Sequence, residues 1–407
     1  MGHPMAFIIY RLNPRNCLFY KTIAYMRPLL LTLGLLVLFA SEFLRIYFIM
    51  PFPGSQHRDT IALAYFIGRH IWAIRIVALL LVLYSCQKMT RGKAILVSVL
   101  AVLYAVVFFY FNFRFEADKM FRQPQTFRVV DAMMNKIDSN SLVIGVALNG
   151  ESGAYPIQLI GYHHQIRDSI GGVPVMVTYC TVCRTGRVYS PEVGGKPESF
   201  RLVGMDHFNA MFEDSRTKSW WQQATGVAVA GPLKGEALQE IPSSQSTLRD
   251  WLRDHPSSRV MQPDPLFSKQ YDELGTYDKG LTPGSLEKRD SSSWAFKSWV
   301  VGVKTEKGEK AYDWNRLVQE GTINDGVGGF PILLTLEPDS STFHAWGRGN
   351  LYFRQQGPQL LDTNTLSVWN MQGTCISGPM AGRRLQALPA YQEFWHSWKQ
   401  FHPGTAR

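Results

Sequence analysis

Residues 143–180 read VIGVALNGESGAYPIQLIGYHHQIRDSIGGVPVMVTYC, and residues 300–337 read VVGVKTEKGEKAYDWNRLVQEGTINDGVGGFPILLTLE. At an offset of 157 positions Gly145 meets Gly302, Ala154-Tyr155 meets Ala311-Tyr312, Asp168 meets Asp325, and Pro174 meets Pro331. Further on, DSRTKSWWQQATGVAVAGPLKGEALQEIP (214–242) parallels DTNTLSVWNMQGTCISGPMAGRRLQALP (362–389). WLRDHP (251–256) and WKQFHP (398–403) close both runs. So many collinear matches indicate a tandem duplication of a unit somewhat over a hundred residues long. The first copy is expected over 121–262 and a degenerate second over 298–407, with the polar, turn-rich 263–297 as connector.

Within each copy, short β-branched or alternating runs sit between Gly and Pro punctuation, as in LVIGVAL, VPVMVTYC and GVAVAGP. One helix is expected in YPIQLIGYHHQI and another over 246–256, with Ser246 as N-cap and Pro256 beyond its end. The expected fold is α+β, mainly β: three transmembrane helices followed by a two-lobed soluble domain.

Three apolar stretches precede the repeats, at 28–50, 61–85 and 94–111. Each approaches the roughly 20 residues a helix needs to cross a bilayer core. Glu42 and Arg45 near the end of the first are expected to pair or to sit at the interface, and Arg69 in the second to snorkel. The anchor is placed at 28–112, after an N-terminal tail at 1–27. Arg11, Arg15, Lys21 and Arg27, with QKMTRGK (87–93), put that tail and the second connection in the cytoplasm. Three spans then leave the C-terminal domain periplasmic or extracellular, on a bacterial-type inner membrane. The net charge of +10 comes from dispersed Lys and Arg, so nucleic-acid binding is not expected. Partners are the membrane itself and an unidentified envelope protein or small molecule.

Differences between the copies point to chemistry. Cys180 aligns with Glu337, Cys183 with Ser340, His163 with Glu320 and His164 with Gly321. Features in both copies, such as Asp168 and Asp214, are most simply structural. Of the five cysteines only Cys180 and Cys183 form a close pair. Three readings compete for them. With His163 or His164 they make a His-Cys-Cys set suited to zinc or copper, with Asp168 orienting the imidazole. A hairpin disulfide in a non-enzymatic envelope scaffold is the second, since disulfides persist outside the cytoplasm. Thiol–disulfide exchange is the third, although β-branched sequence rather than a helix follows the pair. His207, Asn209 and Asp214 are candidates to line a cleft. The sequence holds no GxSxG, P-loop, GxGxxG or HExxH, and no nucleophile–base pair is legible, so enzyme and binding protein stay open.

The run YHHQIRD…VPVMVTYCTVCRTG…FRLVGMDHFNAMFEDSRTKSWWQQATGVAVAGPLKGEAL resembles the family catalogued as domain of unknown function 3179, across residues 143–260, and 298–405 resembles its cysteine-free second half. His163, Asp168, Cys180, Cys183, Asn209, Asp214, Thr217 and Gly231-Pro232 match the family pattern. His164 stands where the family has Glu, Arg167 where it has Asn, and Thr181-Val182 where it has Pro-Leu. The resemblance implies no activity.

Overall fold

The computed structural model describes the backbone of residues 14–87 and 89–407 and side chains from Met26 onward. Residues 1–13 of the expected N-terminal tail, the Cys17 side chain and Lys88 of the 87–93 connection lie outside the described residues. The chain divides into two compact units, one reaching to Ser55 and resuming over Asp59–Glu116, the other Gln56–Arg58 with Ala117–Arg407.

The first unit is helical. Met26–Tyr47, Ile61–Cys86 and Arg91–Phe113 are long and apolar enough to cross a membrane. Glu42 is fully buried among them rather than at an interface. It takes a bidentate bond from Arg75 (2.6 and 2.9 Å) and further bonds from Tyr104 Oη (3.1 Å) and Asn112 Nδ2 (3.2 Å). Arg45 lies 3.6 Å from Glu42 and 3.0 Å from Glu116. A charge buried among apolar helices survives only when neutralised and hydrogen-bonded. One carboxylate therefore ties all three helices together.

The second unit is rich in sheet, and its two halves run through the same order of elements. Strands Leu142–Leu148 and Glu151–Pro156 form a hairpin, helix Ile157–His163 follows, and Gln165–Ile170 and Val173–Cys180 pair antiparallel. Strands Trp299–Thr305 and Gly308–Asp313, helix Trp314–Glu320, and strands Thr322–Val327 and Phe330–Leu336 repeat that order. Each half then adds a four-stranded antiparallel sheet, one running Phe200–Asp206 to Ala228–Ala230, the other Phe353–Gln356 to Cys375–Ser377. Each closes with a strand and short helix: Ser244–Thr247 with Leu248–Asp254, and Ala390–Phe394 with Trp395–Phe401.

Local contacts repeat as well. A Cβ on Gly145 would lie 2.3 Å from the Trp251 ring, and one on Gly302 would lie 2.1 Å from the Trp398 ring. Both glycines exist so that an indole can lie flat on a strand. Asp214 accepts from Thr217 N and Oγ1 and Ser219 N, closing a turn in which Lys218 has φ +61°. Asp362 accepts from Asn364 N, Thr365 N and Thr365 Oγ1 in a turn where Leu366 has φ +58°.

One expectation needs correcting. The helix after residue 246 is capped by Thr247, whose Oγ1 accepts from Asp250 N at 3.3 Å, while Ser246 still belongs to the preceding strand. The connector 263–297 packs into the fold: Phe267, Tyr271 and Tyr277 are buried in the core of the first half. Its aromatic residues carry that role, which a polar average conceals.

Candidate functional site

Cys180 ends the strand Val173–Cys180, and a tight turn through Cys183 and Arg184 (φ +55°) returns the chain into Thr185–Tyr189. Both thiols are free and fully buried. The Cys183 side chain and the backbone N–H groups of Ala210 and Cys183 are the neighbours that favour a thiolate at Cys180. As a thiol, Cys180 donates to Phe208 O at 3.5 Å. Cys183 has Ser397 as a side-chain partner.

The turn is gripped from the second half and from the 263–297 segment. Lys297 Nζ donates to Val182 O at 2.5 Å, inside the CxxC loop, and lies 3.2 Å from His396 Nε2. Phe394 N donates to Cys183 O at 2.9 Å. Arg187, on the strand after the turn, pairs with Glu393 at 2.5 Å and stacks 3.5 Å from the Tyr391 ring centroid. Glu393 in turn accepts from Ser397 Oγ at 2.8 Å. Both members of the Arg187–Glu393 pair are buried, at 2% and 1% side-chain exposure, so it is a structural clamp rather than a surface ion pair.

The electrostatics of the two thiols diverge. Burial opposes a Cys180 thiolate, yet the Cys183 side chain, the two backbone N–H groups and Lys297 bring its pKa below the ordinary thiol value. Cys183 moves the other way: burial and the neighbouring Cys180 push it well up. Burial lowers the Lys297 pKa against the opposing pull of Cys183, Cys180 and Glu287. His396 is pushed down to about 3 by burial and by the Lys297 charge, so its ring is neutral. The two sulfurs of one turn are thus shifted in opposite directions, with a desolvated ammonium against their loop.

The histidines expected to complete a metal set are engaged elsewhere. His163 Nδ1 lies 2.5 Å from Arg122 O and Nε2 lies 2.7 Å from Tyr271 Oη, so both ring nitrogens are taken. Burial lowers its pKa. His164 caps the helix Ile157–His163 at φ +63°, its Nδ1 3.1 Å from Tyr162 O and its ring against Phe121. Burial pushes it down to about 4. Among the described residues no group of three or more His, Cys, Asp or Glu side chains is placed to hold a metal. The residues present do not fit a His163- or His164-completed zinc or copper centre. Asp168 does not orient an imidazole: it accepts from Tyr155 Oη at 2.8 Å.

The remaining candidates, Asn209, His207 and Asp214, make local bonds. Asn209 is buried, bonding Gln223 Oε1 (2.9 Å) and Ala224 N (2.8 Å). His207 sits 2.7 Å from Asp206 in a two-residue hairpin turn, and Asp214 also takes the Trp221 indole N–H at 3.0 Å. Lys297, His396, Ser397 and Glu393 had not been singled out. A signal for His396 and Ser397 lay in the second half, where WHSW (395–398) stands for the LRDW (248–251) of the first.

A family model described as "Protein of unknown function (DUF3179)" matches residues 122–405, and the chain belongs to that family. No curated protein and no solved structure matches it.

Proposed function

Because the family supplies no activity, we propose from the site alone that the protein is a membrane-anchored thiol–disulfide redox protein. Cys180 is the attacking thiolate and Cys183 the resolving thiol. The observation that carries this is geometric: two free, fully buried thiols share one tight turn, and the Lys297 ammonium is held against the loop between them by its bond to Val182 O. A cation held there favours a thiolate without a helix N-terminus. In the reaction Cys180 S⁻ attacks one sulfur of a substrate disulfide and expels the other as thiolate. Cys183 then gives up its proton and attacks Cys180 Sγ, releasing the second substrate thiol. Two electrons leave the cysteine pair, which becomes a disulfide, and reduce the substrate to two thiols.

In this reading the two halves descend from one duplicated unit, and the second has become a buttress. Its Phe394–Ser397 segment holds the turn that Glu337 and Ser340 occupy in its own fold. The domain faces the periplasm or exterior, with the N-terminus cytoplasmic. That orientation agrees with the basic flanks and supplies an oxidising setting for the couple.

The test is a redox titration of the full chain in detergent, with metal content measured on the same sample. A reversible two-electron transition, with disulfide reduction abolished by Cys180→Ser, is expected. A pair that stays oxidised and inert in every buffer would leave a scaffold disulfide. Near-stoichiometric zinc or copper that vanishes in Cys180→Ser/Cys183→Ser would replace the redox couple by a metal grip.

A further inference from the structure

Cys180 is fully buried, and the atom that takes its thiol belongs to another sheet. Strands Phe200–Asp206 and Asn209–Asp214 are joined by His207 and Phe208, and Phe208 O accepts from Cys180 at 3.5 Å. This turn is a lid on the sulfur. Phe208 N in turn donates to Gln56 Oε1 at 3.0 Å, and the His57 ring meets the Phe208 ring edge-on, with centroids 5.4 Å apart and planes at 70°. Gln56 and His57 come from the 51–60 connection between the first two apolar helices, yet pack with the sheet-rich unit. We propose that this connection latches the site: Gln56 and His57 hold the His207-Phe208 turn shut over Cys180, and a partner reaches the thiols only when the latch is released. The inference concerns access to the site proposed above, and its test does not depend on redox turnover.

Three observations support the assignment. First, the latch is preformed. Ser55 Oγ donates to Met50 O (2.6 Å) and Phe52 O (2.9 Å), and Ser55 N also donates to Phe52 O (3.1 Å). Pro51 and Pro53 fix their own φ in the same stretch. Ser55 and Gln56 are each only 3% exposed, although they stand in a connection. A segment already ordered spends little entropy in gripping the lid. Second, the grip falls on the residue that covers the sulfur. The Phe208 backbone gives its N–H to Gln56 and offers its carbonyl to Cys180, so one displacement breaks both bonds. Water replaces both partners as the turn lifts, so the latch has the modest net strength of a protein hydrogen bond and opening is reversible.

Third, the rings around Phe208 divide into a fixed part and a part carried by the connection. Phe296 and His396 lie stacked on one another, centroids 4.3 Å apart and planes at 10°, and both meet Phe208 edge-on. They belong to the segments that grip the CxxC turn itself. His57 is exposed and joins the cluster only through the 51–60 connection. Edge-to-face pairs of this kind add to the hold on Phe208 beyond simple burial. Access to Cys180 is thus set by residues outside the strands that build the site.

The experiment is timed N-ethylmaleimide labelling of the reduced full chain in detergent, read by mass spectrometry on the peptide that carries Cys180 and Cys183, with a thermal melt of each sample. Labelling is expected to be slow in the wild type and fast in Phe208→Ala, which removes the lid. Gln56→Leu keeps bulk but removes the acceptor, and is expected to label about fivefold faster than wild type, the shift in open population that one lost hydrogen bond gives. His57→Ala removes one ring contact and is expected to label about threefold faster. Its side chain is exposed, so it is expected to melt with the wild type and to decide the matter if Gln56→Leu melts lower. Wild-type rates in His57→Ala and Gln56→Leu beside fast labelling of Phe208→Ala would overturn the latch. Equal rates in Phe208→Ala and wild type would overturn the lid as well. The redox titration described above can fail while this labelling pattern stands, and the reverse.

Discussion

Replacing Glu393 by Gln removes one partner of the most buried ion pair in the sheet-rich unit and keeps its shape. At 2.5 Å and an effective dielectric of 20, the attraction to Arg187 is about 332/(20 × 2.5), or roughly 7 kcal/mol. Desolvating two ions costs several kcal/mol each, so the pair as a whole contributes little net stability. Breaking it is another matter, because the Arg187 guanidinium then stays buried without its counter-ion. Such losses run to about 3–5 kcal/mol. The lower end applies here, since Glu240 remains 3.6 Å from Arg187 and is only partly buried. About 3 kcal/mol at roughly 2 °C per kcal/mol gives a melting temperature about 6 °C lower for a unit of this size. The assay is thermal unfolding of the detergent-solubilised chain, with thiol accessibility followed in parallel. The Cys180–Cys183 turn should become reactive in the same step, because Ser397 loses its Glu393 acceptor. The double variant Arg187→Met/Glu393→Leu should recover most of the loss. A Glu393→Gln protein melting within 1 °C of wild type, or a double variant as unstable as the two singles summed, would refute the clamp.

Gly145→Ala and Gly302→Ala should each lower stability by about 1–3 kcal/mol in thermal melts, since the new methyl meets an indole closer than 2.5 Å; a neutral effect at either would refute the shared packing. Lys297→Met should diminish the far-ultraviolet thiolate absorbance of Cys180, read against Cys180→Ser. The ammonium is desolvated and no described carboxylate lies within ion-pair distance of it; unchanged absorbance would remove Lys297 from the site. Asp250 has its pKa raised to about 6 by burial, by its hydrogen bond to Asp339 and by the Asp339 charge. A raised carboxyl pKa means the folded state holds an extra proton between the unfolded value of 3.8 and about 6. Its contribution to stability therefore falls as pH rises through that window and is level above it. Asp250→Asn should thus gain on wild type from pH 4 to pH 7 in melting temperature, and a difference that does not change with pH would count against the shared proton.

The repeated order of elements was readable because its markers are backbone necessities. Gly145 and Gly302 must admit an indole, and Asp214 and Asp362 must close turns at positive φ. The cysteine pair was readable because only one of the two similar halves carries it. The third partner was not. His163 and His164 stood out by proximity in sequence and by absence from the second copy, yet a helix and its cap spend them on Arg122 O, Tyr271 and Tyr162 O. Lys297 and His396 reach the CxxC loop from 114 and 213 residues beyond Cys183, and no local pattern encodes so long a return. The buried Glu42–Arg75 pair was half legible: its charges were visible inside apolar stretches, but pairing across two helices needs their rotation as well as their lengths.

Burial and reactivity have to be reconciled at Cys180, which is 0% exposed and yet holds the groups of an activated thiol. The lid above it is the His207-Phe208 turn, whose carbonyl at Phe208 takes the Cys180 thiol. Asp206 pairs directly with Asn209, so the two residues between them form a two-residue hairpin loop with φ +49° and +68°. That geometry favours Asn-Gly, and two side chains heavier than those cost about 1 kcal/mol each to hold there. Phe208 is kept down by edge contacts with Phe296 and His396 rather than by the turn's own preference. Its own N–H also donates to Gln56 Oε1 at 3.0 Å, and the His57 ring meets it edge-on, so the turn is held over the sulfur from several sides. On the redox reading proposed above, a substrate disulfide has to move Phe208 off those rings, relieving the turn as it does so, before it meets Cys180.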